Sequence, residues 1–155
     1  MQIYLVRHGH SKDQQPGETD TERDLTEKGR GQANALAAWL LRHDIAPAQL
    51  YCSPLNRAVQ TAEPLASALN LDLNTDERLS GGKIDPEALK DLLIGAGEPD
   101  SIMLVGHEPD CSEMIRALTG AFVHMSKAAI ALVTTNDVLA PYGELECLVP
   151  PDLRD

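Results

Sequence analysis

This chain predicts an α/β fold, and two observations carry the prediction. Short apolar runs alternate with stretches of helical spacing, and two of those runs each end in a loop bearing a histidine. Ile3-Tyr4-Leu5-Val6 leads into Arg7-His8-Gly9-His10-Ser11, and Ile102-Met103-Leu104-Val105 leads into Gly106-His107-Glu108-Pro109. In parallel α/β proteins the loops at the carboxyl ends of strands form the ligand crevice, so two such strands can aim both imidazoles at one site.

Taken in order, residues 2–6 read as a buried strand. Residues 12–24 are polar, contain Pro16-Gly17 and form the longest irregular stretch; following His8 directly, they are placed to border a pocket. Thr26 caps a helix whose Ala33, Leu36, Ala37, Leu40 and Leu41 share one face. A second strand over 49–52 runs into a helix with Ser53 as N-cap and Pro54 as its first residue, which places Arg57 one turn in. That helix turns Ala58, Ala62, Leu65, Ala66 and Leu69 inward, and Pro64 predicts a kink or break near 61–63, because an interior proline removes a donor and clashes with the preceding turn. A short strand over 71–73 follows. Asp85-Pro86 opens a helix bearing Leu89, Leu92 and Leu93, residues 101–105 form the next strand, and a helix over 110–118 comes after it. Strands near 129–133 and 144–149 complete the pattern.

Composition bounds the function. At 155 residues and 43% apolar, the chain suffices for one domain spanning 1–155 and is too short for two. Met1 enters a strand with no basic segment and no long apolar stretch, so neither a signal peptide nor a membrane span is expected. Cys52, Cys111 and Cys147 are an odd number in such a chain and read as free thiols in a reducing cytoplasm. A net charge of -11 argues against a nucleic-acid groove, since the overall field would repel a polyanion.

Arg7 beside His8 points to phosphate chemistry. A guanidinium presents a planar donor fork matched to phosphoryl oxygens, and a neutral imidazole can serve as nucleophile or base. Arg57 sits in a first helical turn, where the dipole disfavours a cation unless an anion is near. Each reading has a plainer rival: Arg7 as an ion-pair member, Arg57 as a surface residue, Ser11 bonding its own loop rather than a phosphate oxygen. His10, His43 and His124 read as ordinary polar residues. Competing chemistries fare worse. Cysteine phosphatases need five residues between cysteine and arginine, and Cys52 and Arg57 have four between them. Zinc on His8, His10 and His107 is disfavoured by the adjacent arginine and by the turn expected at Gly9. No G-x-x-x-x-G-K-[ST] is present.

Four ordered blocks, Val6-Arg7-His8-Gly9, Leu25-Thr26-Glu27-Lys28-Gly29-Arg30, Ser53 through Ala62, and Val105-Gly106-His107-Glu108-Pro109, together resemble the histidine phosphatase superfamily, and the chain's compactness is most similar to the SixA-type phosphohistidine phosphatases. The resemblance implies a three-layer α/β/α sandwich with a mostly parallel sheet. It implies that His8 is the nucleophile and that Arg7, Arg57 and His107 surround the phosphoryl group, with Ser11 a further candidate and with no metal or cofactor. It leaves the general acid open: Glu77 beside Arg78 is one register, Ser80 another, and a solvated loop carboxylate a third reading of Glu77. The implied function is removal of phosphate from phosphohistidine on a protein. A protein substrate is preferred because the segment between Leu73 and Ile102 is too short for a metabolite-enclosing lid. The alternatives are a phosphatase of a small phosphorylated metabolite and a phosphoprotein-binding module without turnover.

Overall fold

Strand alternation sets the layers. In strand β1 (Gln2–Arg7), Ile3 and Leu5 pack on one side of the sheet while Tyr4 and Val6 pack on the other, and in β4 (Ser101–Gly106) Ile102 and Leu104 are opposed to Met103 and Val105 in the same way. Both strands are therefore apolar on both faces, as strands covered by helices on each side must be. The computed structural model describes residues 1–154.

Six strands form one sheet in the order β3-β2-β4-β1-β5-β6, with β2 at Gln49–Cys52, β3 at Leu73–Thr75, β5 at Ile130–Thr134 and β6 at Glu144–Val149. The pairs β2–β3, β2–β4 and β1–β4 are parallel; β5 runs antiparallel to β1 and β6 antiparallel to β5. Helices α1 (Glu27–Arg42) and α2 (Asn56–Leu69) cover one face with Leu36, Leu40, Ala58, Ala62 and Leu65. Helices α3 (Pro86–Gly95) and α4 (Asp110–Thr119) cover the other with Leu89, Leu92, Met114, Ile115 and Leu118. The expected three-layer sandwich with a mostly parallel sheet is what the chain forms. None of the described helices is long and apolar enough to cross a membrane.

Caps account for several boundaries. Thr26 accepts from the Gly29 amide at 3.1 Å and Asp85 from the Ala88 amide at 2.8 Å, each opening its helix as expected. Three expectations are corrected. Helix α2 begins at Asn56 with Leu55 in the cap position, because the Ser53 hydroxyl accepts from the Leu55 amide in a turn and faces His107 instead of capping. Of the kink or break expected at Pro64, the break does not occur, since α2 runs on to Leu69: burial of Leu65 at about 1.5–3 kcal/mol, with Ala58, Ala62 and Ala66 beside it, offsets an interior proline's cost of about 3 kcal/mol. Strand β3 starts at Leu73 rather than Leu71, because left-handed Asn70 ends α2 and the Leu71 amide is spent on the Ala66 carbonyl.

Candidate active site

Adjacent strand ends bring the two histidines together. Arg7 pairs with Gly106 in the β1–β4 ladder and the His8 amide donates to the Gly106 carbonyl at 3.0 Å, so His8 and His107 leave the sheet side by side. Their ring centroids lie 5.1 Å apart at an interplanar angle of 57°, and both residues are buried. The next strand end, that of β2, is tied in by the Ser53 amide donating to the Val105 carbonyl at 2.9 Å. Ser53 Oγ then sits 2.8 Å from His107 Nε2.

The residues of the 53–62 block each hold a different neighbour. Thr61 Oγ1 accepts from the Gly9 amide at 3.0 Å and donates to the Arg57 carbonyl at 2.7 Å, joining the loop after β1 to the start of α2. Gln60 accepts from the Leu25 amide through Oε1 and donates to Asp24 through Nε2, both at 2.8 Å. Arg57, the second residue of α2, is buried, and its Nη1 and Nη2 donate to the Asp20 carbonyl oxygen and to Asp20 Oδ2 at 2.8 and 2.9 Å. Asp20 lies in a single turn of helix, Asp20–Glu22, within the 12–24 loop, which therefore borders the site as expected. A carboxylate thus rests on the buried arginine at the positive end of a helix, a setting that suits a phosphoryl oxygen equally well.

Both imidazoles are held neutral. Burial, then the neighbouring His107 and the charges of Arg57 and Arg7, push His8 down to about 3 against an opposing bond to the Gly9 carbonyl. Burial and Arg57 push His107 down to about 4. His8 Nδ1 lies 2.7 Å from the Gly9 carbonyl oxygen, an acceptor only, so Nδ1 carries the proton and Nε2 the lone pair. Arg7 Nη1 donates to the Met125 carbonyl at 2.8 Å, while Arg7 Nε and His107 Nδ1 are buried without a partner among the described residues. Cys52, pushed up to about 12 by burial, and Cys111, also raised by burial, are no thiolate nucleophiles.

The resulting constellation, two neutral imidazoles among arginines at the ends of parallel strands, has relatives. Residues 3–82 match the histidine phosphatase superfamily (branch 1). The chain belongs to this superfamily. An uncharacterized protein of Picosynechococcus sp. is 32% identical in an alignment that covers 84% of this chain and 82% of that protein. Among solved structures, the protein histidine phosphatase SixA complexed with tungstate superposes with a TM-score of 0.85 at 25% identity over 98% of each chain. The mycobacterial glucosyl-3-phosphoglycerate phosphatase complexed with VO3 shares the fold, with a TM-score of 0.71 at 21% identity over 94% of this chain and 97% of its own.

Of the residues singled out in sequence, this superfamily chain brings Arg7, His8, Arg57 and His107 into one cluster. Glu77 is paired with other residues: its side chain is 77% exposed, and Oε2 accepts from Ser80 Oγ at 2.9 Å and lies 3.6 Å from Lys83 Nζ. Ser80, the alternative register, is the donor in that pair. Ser11 Oγ accepts from Arg23 Nη2 at 3.2 Å and its backbone bridges to Leu25, the loop-bonding arrangement. His10 is tied to Thr26 through Nδ1 at 2.9 Å and His43 stacks on Trp39. Sequence reading passed over Asp20 and the separate tasks of Ser53, Gln60 and Thr61. A hydroxyl or amide at a fixed offset from Arg57 was the available signal, but its partners lie in other blocks.

Proposed function

We propose that this chain is a phosphatase that uses His8 as nucleophile and acts on phosphohistidine carried by a protein. The observation that carries the reading is the state of His8: a buried neutral ring, its Nδ1–H on the Gly9 carbonyl and its Nε2 lone pair free beside arginine charge. In the first step Nε2 forms a bond to phosphorus while the bond from phosphorus to the leaving nitrogen breaks, with Arg7, Arg57 and His107 meeting the charge on the equatorial oxygens. The departing imidazole takes up a proton from solvent. In the second step water attacks phosphorus, the bond to His8 breaks, and phosphate and neutral His8 are regained. An imidazole leaves more readily than an alkoxide, which fits a site whose candidate acid, Glu77, is solvated and paired elsewhere.

The protein substrate is favoured by the short chain between β3 and β4, which holds one turn, Glu77–Leu79, and α3. It is also favoured by likeness to SixA, a protein histidine phosphatase. A small-metabolite phosphatase is the second reading, favoured by the fold shared with the glucosyl-3-phosphoglycerate phosphatase. Released phosphate measured against phosphohistidine proteins and a panel of phosphometabolites separates the two. Turnover of metabolites alone selects the second reading, and binding without release selects a non-catalytic module. Rapid quench of wild type should trap phosphate on His8, and His8→Ala should lose turnover with its fold retained. A phosphoryl group trapped on any other residue overturns the mechanism.

A further inference from the structure

Ser53 is fully buried, and its hydroxyl serves two neighbours: it accepts from the Leu55 amide in the turn before α2 and lies against His107. We propose that Ser53 is a positioning residue that sets the tautomer of His107, so that this ring meets a phosphoryl oxygen with an N–H and not with a lone pair. The proposal rests on the phosphoryl-transfer reading above and names a residue that reading does not use.

The hydrogen bonds allow one arrangement in which the Ser53 hydroxyl is satisfied both as donor and as acceptor. Ser53 Oγ accepts from the Leu55 amide at 3.2 Å and lies 2.8 Å from His107 Nε2. If Ser53 donates to Nε2, the hydroxyl has both an incoming and an outgoing bond, and Nε2 is the acceptor. If instead Nε2–H donates to Oγ, the oxygen receives two donors and its own proton is left buried without an acceptor, a state native interiors avoid. With Nε2 accepting, a ring neutral at pH 7 must carry its single proton on Nδ1. That is the atom left without a partner among the described residues. A donor there stabilises a developing phosphoryl oxyanion, whereas the other tautomer would turn a lone pair toward negative charge. The arrangement is built by the sheet: Cys52 pairs with Val105 and the Ser53 amide bonds the Val105 carbonyl, so Ser53 and His107 leave adjacent strands in register.

The test is a two-bond 1H–15N correlation on the full chain with 15N-labelled histidine. At pH 7 and without added anion, His107 should show a protonated Nδ1 and a bare Nε2, and the reverse assignment in wild type overturns the proposal. Ser53→Ala should relax the tautomer toward a mixture and lower kcat roughly 10- to 100-fold, with KM changing far less, since the lost donor acts in the transition state. An unchanged kcat in a Ser53→Ala protein that folds also overturns it. Should that variant not fold, the wild-type spectrum still decides. The spectrum needs no substrate, so it can also be read in His8→Ala. A failure of the phosphatase reading, seen as no turnover, is therefore distinguishable from a failure here, seen as the wrong proton position.

Discussion

His8 and His107 differ in what holds them, and that difference assigns their chemistry. A backbone carbonyl can only accept, so Gly9 takes the proton of His8 at Nδ1 and leaves the Nε2 lone pair free; a hydroxyl can donate, so Ser53 can occupy the Nε2 lone pair of His107 and leave its proton on Nδ1. Both rings resist protonation because they are buried among arginines. A protonated His8 has no lone pair, so activity must fall as pH drops through its pKa in the free protein. The acid limb of kcat/KM for an aryl phosphate, after allowance for the substrate's own ionisation, should lie well below the ordinary imidazole range, because burial pushes His8 down to about 3. An ordinary imidazole would put it near pH 6.5, and a limb there would mean that the site is hydrated and the rings uncoupled from the arginines. Glu77 provides the second residue-level test. Its solvated, Ser80-bonded carboxylate predicts that Glu77→Gln leaves phosphohistidine turnover unchanged. A loss on alkyl phosphates of roughly 10²- to 10⁴-fold, measured in parallel, would show that the loop swings inward to act as general acid on poor leaving groups.

At the scale of elements, the site is held by close approach between α1 and the loop that carries His8. A Cβ on Gly29 would lie 2.0 Å from the His10 carbonyl oxygen, and one on Gly9 would lie 2.8 Å from the Gly29 carbonyl oxygen, so two glycines let helix and loop touch backbone to backbone. Gly29→Ala cannot be absorbed by a flexible side chain and should cost about 1–3 kcal/mol in urea unfolding, with a loss of kcat as the His8 loop is displaced. The turn at Asp20–Glu22 invites a gentler perturbation. Asp20 is half exposed, so its pair with Arg57 is worth about 0.2–1 kcal/mol, and Asp20→Asn should tighten vanadate binding by roughly 2- to 5-fold in titration calorimetry. What was legible in sequence follows from range. Arg7, His8 and His107 announce themselves because each ends an apolar strand, and Thr26 and Asp85 because a cap acts within three residues. Asp20 and Thr61 were not legible, because they act on partners 37 and 52 residues away whose approach is decided by helix packing. The start of α2 was misread for the same reason: Ser53 had both a local use as cap and a distant one at His107, and the distant one won.

Across the whole molecule, sign and place are set against each other. The chain carries a net charge of -11, yet the carboxyl ends of β1, β2 and β4 gather Arg7 and Arg57 around two imidazoles whose protons have been driven off. A native state that buries guanidinium donors, with Arg7 Nε and His107 Nδ1 unpaired among the described residues, is stabilised by any compact oxyanion that completes them. The unfolded chain has no such site, so binding shifts the folding equilibrium by mass action: at roughly 100 times Kd the gain is about 2.7 kcal/mol. For a domain of this size about 1 kcal/mol moves the melting temperature by roughly 2–4 °C, so phosphate or vanadate near 100 times Kd should raise Tm by roughly 5–10 °C in a thermal scan. Arg57→Ala should abolish the rise while Glu77→Gln keeps it, because the first removes a guanidinium proposed to face the anion and the second a carboxylate paired with Ser80 and Lys83. A rise that survives Arg57→Ala would place the anion elsewhere on the molecule and detach the Arg57 cradle from phosphate binding.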